Sequence, residues 1–370
     1  MATTTCCGSR KLTGTLPTKA VNEASQSLQE PWVIGQAGSS QDPVPLVSTR
    51  LSRTDRWGAW KARWTVGRMD YSVHPGLYGV GQPGRQSPIL VTANYKLTLD
   101  RLRSELAGID AWILVLDTKG INVWCAAGKG TFGTKEVIRR LRSVDMEQRV
   151  DHRTIILPQL GATGVKAHEV TQATGFRVVY GPVRAADLPA FLSGGLTATP
   201  AMRRVRFNTL DRLVLTPAEF VFMLKPAAIL LGILFILNMI GLGQYGPVEG
   251  LAIAGTIVIG CILVPVLLPL VPGRAFAFKG ALLGLLWAAG IVWFQGWFAG
   301  SAPVICKALA YLLAIPSVAG FLAMNFTGST TFTSPSGVNK EMRIALPIML
   351  IATAAGVLLL LAGDVLRLIL

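Results

Sequence analysis

The sequence predicts an α/β, Rossmann-like domain followed by an all-α transmembrane domain of five helices. Between residues 76 and 192, short apolar runs alternate with segments of helical period, the pattern of βαβ units and a mostly parallel sheet. After about residue 218 the chain is apolar in five stretches, each long enough for a ~30 Å hydrocarbon core at about 20 residues apiece. The net charge is +15, from 35 Lys+Arg against 20 Asp+Glu, in a chain whose mean hydropathy is +0.48. Basic flanks of membrane spans account for that charge better than nucleic-acid binding does.

The elements follow in order. Residues 1–50 are Ser, Thr, Gln, Pro and Gly with few apolar runs and read as a flexible tail. The first thirty residues hold no continuous apolar h-region, so the next domain is expected in the cytoplasm. Cys6 and Cys7 lie in this tail without another ligand near in sequence, and adjacent thiols alone make a poor metal site. With Cys125, Cys261 and Cys306 the cysteines number five, an odd set that fits a reducing compartment rather than a disulfide framework. Trp57–Tyr71 places Trp57, Trp60 and Trp64 at i, i+3, i+7, an amphipathic turn at the entrance of the domain.

The α/β domain is expected over 51–195. Leu77–Val80, Ile89–Ala93, Trp112–Asp117, Thr154–Leu157 and Arg177–Val179 read as strands. Lys96–Leu106, Thr134–Arg142 with Thr134 as N-cap, Val165–Thr174 and Ala185–Leu192 read as helices. A basic linker (Arg203, Arg204, Arg206, Arg212) occupies 196–217. The transmembrane domain, 218–370, has spans at about 220–241, 250–271, 276–298, 303–325 and 344–363. Arg212 and Lys225, Arg274 and Lys279, and Lys340 and Arg343 mark inner flanks, whereas the loops after the first and third spans lack Lys and Arg. The multi-pass chain is thus expected in the cytoplasmic (inner) membrane, with the N-terminal domain inside and the C-terminus outside. Asn238, Gln295 and Asn325, the polar residues noted in the spans, are uncharged, and the spans read as anchors that Pro265, Pro269 and Pro316 can kink. Cys261 and Cys306 are expected to pack as small apolar residues. The loop Asn325–Arg343 is long and Ser/Thr-rich.

The chemistry concentrates in Ile121–Phe132, directly after the buried run WILVLD, where ligands of α/β sheets sit. If helical, Asn122, Cys125, Ala126 and Lys129 share a face. A lysine one turn from a thiol suits nucleophilic and soft-metal chemistry, and Ala126, Ala127 and Gly128 leave little bulk for a large flat ligand to meet. Asn122 is a candidate N-cap. Gly79–Gly84 fits G-x-G-x-x-G by letter, but Pro83 lies inside it and a strand follows, so it is set aside. Gly128-Lys129-Gly130-Thr131 fails as a P-loop because Val123 stands where glycine is required. The strand-to-helix turn Pro158–Val165 offers Gly161, Thr163 and Gly164 either to an anionic tail at a helix N-terminus or as a plain turn. His74, His152 and His168 lack metal-site spacing, and no D-x-H-x-x-G occurs.

Residues 112–134, WILVLDTKGINVWCAAGKGTFGT, together with PQLGATGV at 158–165, resemble the corrinoid protein of the microbial mercury-methylation pair. That family is related to the large subunit of the corrinoid iron–sulfur protein of the acetyl-CoA pathway. Asn122 to Lys129 match its hallmark N-[VI]-W-C-A-[AG]-G-K at every position, and the order of cytoplasmic domain and five spans matches too; the Cys6-Cys7 tail does not. The resemblance implies a corrinoid (cobalamin-type, cobalt) cofactor, with the motif forming a cap helix over the corrin ring. It implies Cys125 as the lower axial cobalt ligand, and cofactor contacts from Asn122, Val123, Trp124, Ala126, Ala127, Gly128 and Lys129. It further implies methyl transfer to Hg(II), an electron donor of ferredoxin type with two [4Fe–4S] clusters, and a methyl source in a methyltetrahydrofolate pathway. A membrane-anchored corrinoid methyl carrier for a different acceptor shares all these residues. A transporter or sensor with a regulatory α/β domain and a structural Cys125 is the alternative from another class, and predicts no bound cobalamin.

Overall fold

A computed structural model describes residues 29–38 and 43–369. Cys6 and Cys7 lie outside the described residues. The chain divides into two compact units, one of residues 1–59 and 69–204, the other of 60–68 and 205–370.

The first unit is built on a seven-stranded mixed sheet of order β1-β2-β3-β5-β4-β6-β7. Its strands are β1 Val33–Ala37, β2 Val44–Val47, β3 Gly76–Val80, β4 Ile89–Ala93, β5 Ala111–Leu116, β6 Thr154–Leu157 and β7 Arg177–Tyr180. The tail expected over 1–50 is therefore cut short. VPLV is short but apolar, with Val44 and Val47 buried, and it pairs with both β1 and β3. β4 to β7 are parallel, as expected. β3 is antiparallel to β5, because the 81–88 connection to β4 is too short for the crossover that parallel strands require. Every residue of β4 and β5 is buried, the two-sided burial that makes a continuous apolar run rather than an alternating one.

The helices are α1 Arg53–Arg63, α2 Lys96–Ser104, α3 Val123–Lys129, α4 Thr134–Ser143, α5 Met146–Arg149, α6 Ala167–Thr174 and α7 Leu188–Ser193. Two apolar clusters form on the sheet. One includes Leu114, Phe132, Val137 and Phe176, and the other includes Tyr78, Leu99, Ile113 and Phe191. A buried ion cluster pins residues 48–55 to α2. Lys96 Nζ lies 2.7 Å from Asp55 and 2.9 Å from Asp100, and Arg103, wholly buried, pairs with both carboxylates at 2.9 and 2.8 Å. Burial pushes the Asp55 carboxyl up, but Lys96 and the Ser52 hydrogen bonds override this and hold it well below the usual carboxylate range. Thr134 opens α4 without capping it: the N-cap position is Gly133, and the Thr134 hydroxyl instead accepts from Lys166 N at 2.9 Å.

The second unit contains a short helix α8 Thr209–Leu213, then α9 Thr216–Met239, α10 Pro247–Val258, α11 Val264–Leu267, α12 Phe276–Phe294, α13 Ala302–Asn325 and α14 Pro335–Ile369. It has five helices long and apolar enough to cross a membrane: Thr209–Met239, Pro247–Leu267, Phe276–Phe294, Ala302–Ser329 and Ser336–Ile369. Residues 60–68 group with these helices; the Trp60 and Trp64 rings are 5.6 Å apart, and Trp64 meets Phe220 edge-on at 6.5 Å. A π-turn, Ile259–Leu263, joins α10 to α11 just ahead of Pro265, where the missing N–H breaks the helical ladder. Two sequence expectations change here. The loop expected over 325–343 is mostly helical, since α14 begins at Pro335 and Glu341 accepts from Ala277 N at 2.6 Å. The spans also contain charge: Lys307, within the fourth, pairs with Glu249 at 2.6 Å, and buried Lys279 donates to the Leu268 carbonyl at 2.6 Å and to that of Val271.

Candidate functional site

The parallel strands run β5-β4-β6-β7, so successive connections leave β4 in opposite directions. The crevice beyond the carboxyl ends of β4 and β6 is therefore the topological switch point, where doubly wound sheets place ligands. A cleft of about 350 Å³ opens there. Its walls include Thr92 of β4 and Tyr95 after it, Thr98 and Arg101 of α2, Asn122 to Trp124, and Pro158, Leu160 and Gly181 after β6 and β7.

The loop leading to α3 is held from the neighbouring strand. Asn94, at the end of β4 and nearly buried, accepts from the backbone N–H groups of Thr118 and Gly120 at 3.0 Å each. The Thr118 hydroxyl donates to the Ile121 carbonyl at 2.7 Å. Lys119 and Gly120 both take positive φ, 60° and 69°, a tight reversal that aims the chain back over the strand ends. Burial pushes the Asp117 carboxyl up, but Lys119, 2.6 Å away, and Arg140 bring it below the usual range.

α3 begins at Asn122, whose side-chain oxygen accepts from Cys125 N at 2.9 Å. This satisfies one orphan donor of the first turn. The helix ends at Gly130, φ 80°, a left-handed cap that glycine adopts without steric cost. The Gly-Lys-Gly-Thr run is thus a helix C-terminus and not a phosphate loop. Likewise Gly81 takes φ +67° in a turn where Gln82 N donates to Asp110 at 2.8 Å, so the other glycine motif is structural.

The two faces of α3 differ. Val123, Ala126 and Ala127 are buried, whereas Trp124, Cys125, Gly128 and Lys129 are exposed. The expected shared face is therefore corrected: Ala126 and Ala127 sit against the core, and the boundary falls between Cys125 and Ala126. Their smallness serves the packing beneath. Gly161 and Gly164 are corrected in the same way. A Cβ at Gly161 would lie 2.5 Å from the Phe132 ring, and one at Gly164 would lie 2.2 Å from the Phe132 carbonyl oxygen and 3.0 Å from Ala127 Cα. These glycines let the turn after β6 approach α3 from behind, while Thr163 between them is exposed. At Gly128, by contrast, a Cβ would meet nothing within 4 Å. Asn94 had no motif to mark it in the sequence, and Thr118 and Phe132, though inside the 112–134 segment, had no assigned role there.

His152 Nε2 is 2.9 Å from the Ser87 carbonyl, and His74 lines a polar hollow with Asp117, Arg139 and Arg140. Among the described residues no group of three or more His, Cys, Asp or Glu side chains is placed to hold a metal ion.

Residues 61–192 match the family described as CO dehydrogenase/acetyl-CoA synthase delta subunit. The acetyl-CoA decarbonylase/synthase complex subunit gamma of Methanopyrus kandleri is 37% identical over 131 residues, 35% of this chain and 28% of its own length. That of Archaeoglobus fulgidus is 32% identical over 131 residues, 35% of this chain and 27% of its own. The corrinoid/iron-sulfur protein large subunit of Moorella thermoacetica is 28% identical over 168 residues, 45% of this chain and 35% of its own. The chain thus spans about a third or less of the length of these relatives. The α/β unit, with its exposed thiol at the switch point, is related to the corrinoid protein of the acetyl-CoA pathway.

Proposed function

We propose that this chain is a membrane-anchored corrinoid methyltransferase that delivers a methyl group to Hg(II), with Cys125 as the lower axial ligand of cobalt. The observation that carries the reading is the exposed thiol of Cys125 on α3, the helix whose Asn122, Val123 and Trp124 line the switch-point cleft, in a domain related to corrinoid proteins. The residues fit such a group. One thiol suffices for a metal whose equatorial positions are filled by a macrocycle, and thiolate is a donor suited to soft chemistry. Gly128 costs α3 about 1 kcal/mol relative to alanine, and among the described residues no atom lies within 4 Å of where its Cβ would stand. When bound, the corrinoid supplies a cobalt centre that can take up and give up a methyl group, and the axial ligand is the protein's lever on it.

The chain's own residues divide the remaining work. Asn122 fixes the first turn of α3 and with it the direction of the Cys125 side chain. Trp124, 41% exposed, lines the cleft and offers an apolar surface to a large flat ligand. Lys129, one turn beyond, offers an ammonium to a corrin amide, and Thr163 offers a hydroxyl to a polar tail. The spans hold the α/β unit at the inner face of the cytoplasmic membrane, with the C-terminus outside by the distribution of Lys and Arg. The relatives are named as subunits of a complex, which supports protein partners in general; the partners this reading requires are a ferredoxin-like donor with two [4Fe–4S] clusters and a methyltetrahydrofolate-dependent methyl source. A second reading, a methyl carrier for another acceptor, is favoured by the relatives' names.

The test uses full-length protein in detergent, reconstituted with cobalamin. Wild type is expected to bind it with a sulfur-dependent visible band and to form methylmercury when the reductant and methyl source are added. Cys125→Ala, at an exposed position, keeps stability within about 0.5 kcal/mol but loses the band and at least about tenfold of the rate. An unchanged spectrum in Cys125→Ala removes the ligand assignment. Methyl transfer by wild type to another acceptor but never to Hg(II) leaves the carrier reading in its place.

A further inference from the structure

The second unit contains a long apolar groove that the proposed chemistry does not use. It is walled by α9, α10, α13 and α14 and encloses about 390 Å³. Its lining follows α13 from Ala310 to Leu322, about 18 Å at 1.5 Å per residue. A volume of this size drawn out over that length is of the order of one extended hydrocarbon chain. Small side chains at Ala227 and Ala314 leave room in it, while Gly356 lets α14 close on α13, since a Cβ there would lie 3.0 Å from the Ala310 carbonyl oxygen. α9 supplies one wall yet has only Thr216 buried, so it does not close on the opposite helices.

One end of the groove is polar. Glu249, 6% exposed, lies 2.6 Å from Lys307 Nζ and accepts from the Tyr311 hydroxyl at 3.0 Å. Lys307 stands over the Tyr245 ring at 5.9 Å, and the Tyr245 hydroxyl bonds Asp364. Arg367, one turn of α14 beyond Asp364's neighbour Gly363, reaches the Gly241 carbonyl at 3.4 Å. Tyr245, Glu249 and Tyr311 line the groove at this end, with Lys307 and Asp364 bonded directly behind them and Arg367 further along α14. Ionisable groups set among membrane helices are costly and mark ligand sites, and this set complements a head group carrying both signs.

We propose that the groove is a binding site for one zwitterionic aminophospholipid. One acyl chain lies along α13, the phosphate faces Lys307 and Arg367, and the ammonium faces Glu249 and Asp364. The test is lipid retention by the full chain in mild detergent, read by mass spectrometry. Ala227→Phe and Ala314→Phe fill the bore, Ala228→Phe points out of it, and circular dichroism verifies that each variant folds. Wild type and Ala228→Phe should keep roughly one phosphatidylethanolamine per chain, and the two filled variants should lose at least about tenfold. As a second measurement, adding phosphatidylethanolamine to delipidated wild type should raise its Tm, and phosphatidylglycerol should not. Equal retention by folded, filled variants overturns the proposal. So does enrichment of phosphatidylglycerol or of an isoprenoid quinone in wild type, or retention of no lipid at all.

Discussion

Replacing Gly164 with alanine tests whether the turn behind α3 sets the position of the thiol. The new Cβ would lie 2.2 Å from the Phe132 carbonyl oxygen, where ordinary contact begins at 3.4 Å. That oxygen or the turn must therefore retreat by about 1.2 Å. Ala127 Cα, at 3.0 Å, blocks the easy direction, and Phe132 N donates to the Ala126 carbonyl at 3.1 Å, so the displacement passes into the last turn of α3. Overpacking of this kind costs about 1–3 kcal/mol, and a 1 Å misplacement of a reacting group costs on the order of 10²-fold in rate. Denaturant unfolding and cobalamin titration of the full chain should show both losses. Gly128→Ala is the counterpart: with open space around it, the fold should be unharmed or gain up to about 1 kcal/mol, while corrinoid affinity falls. Wild-type unfolding and spectrum in Gly164→Ala would refute the positioning argument, and wild-type affinity in Gly128→Ala would show that no ligand covers that face.

Asn122→Ala should cost about 1 kcal/mol through loss of the N-cap and weaken the sulfur-dependent band, with Asn122→Asp restoring both; loss of stability without spectral change would separate the cap from the site. The Asp55 carboxyl is held below its unfolded value, so its contribution is complete above about pH 4 and fades as pH falls further. Asp55→Asn should be less stable than wild type at pH 7, with the difference shrinking in acid unfolding below about pH 4; a pH-independent difference would contradict this. Lys307→Met leaves Glu249 buried without its cation and should cost about 3–5 kcal/mol in detergent, much of it recovered when Glu249→Gln is added. Equal Tm in single and double variants would show that the pair is not coupled.

Local chemistry was legible where it is self-contained. The parallel strands, the five spans and the start of α3 at Asn122 could be read from apolar runs and a capping residue. What escaped depends on partners distant in sequence. VPLV looked like part of a tail because four residues carry little periodic signal, and only pairing with β1 and β3 makes them a strand. The face of α3 was misassigned at Ala126 because spacing gives neighbours but not which side meets the core. Gly161 and Gly164 suggested room for a ligand, yet Phe132 and Ala127 fill that room. Lys307 was passed over among apolar residues, and its partner Glu249 lies two spans earlier.

The Asn94 amide has a consequence for how the thiol can move. Two backbone donors of the 118–120 loop converge on one oxygen that belongs to the adjacent strand. Sliding the loop by a residue breaks both bonds together, so the loop is held or lost as one unit. α3 starts directly after it, and the place of Cys125 above the sheet is therefore set by a side chain of the adjacent strand.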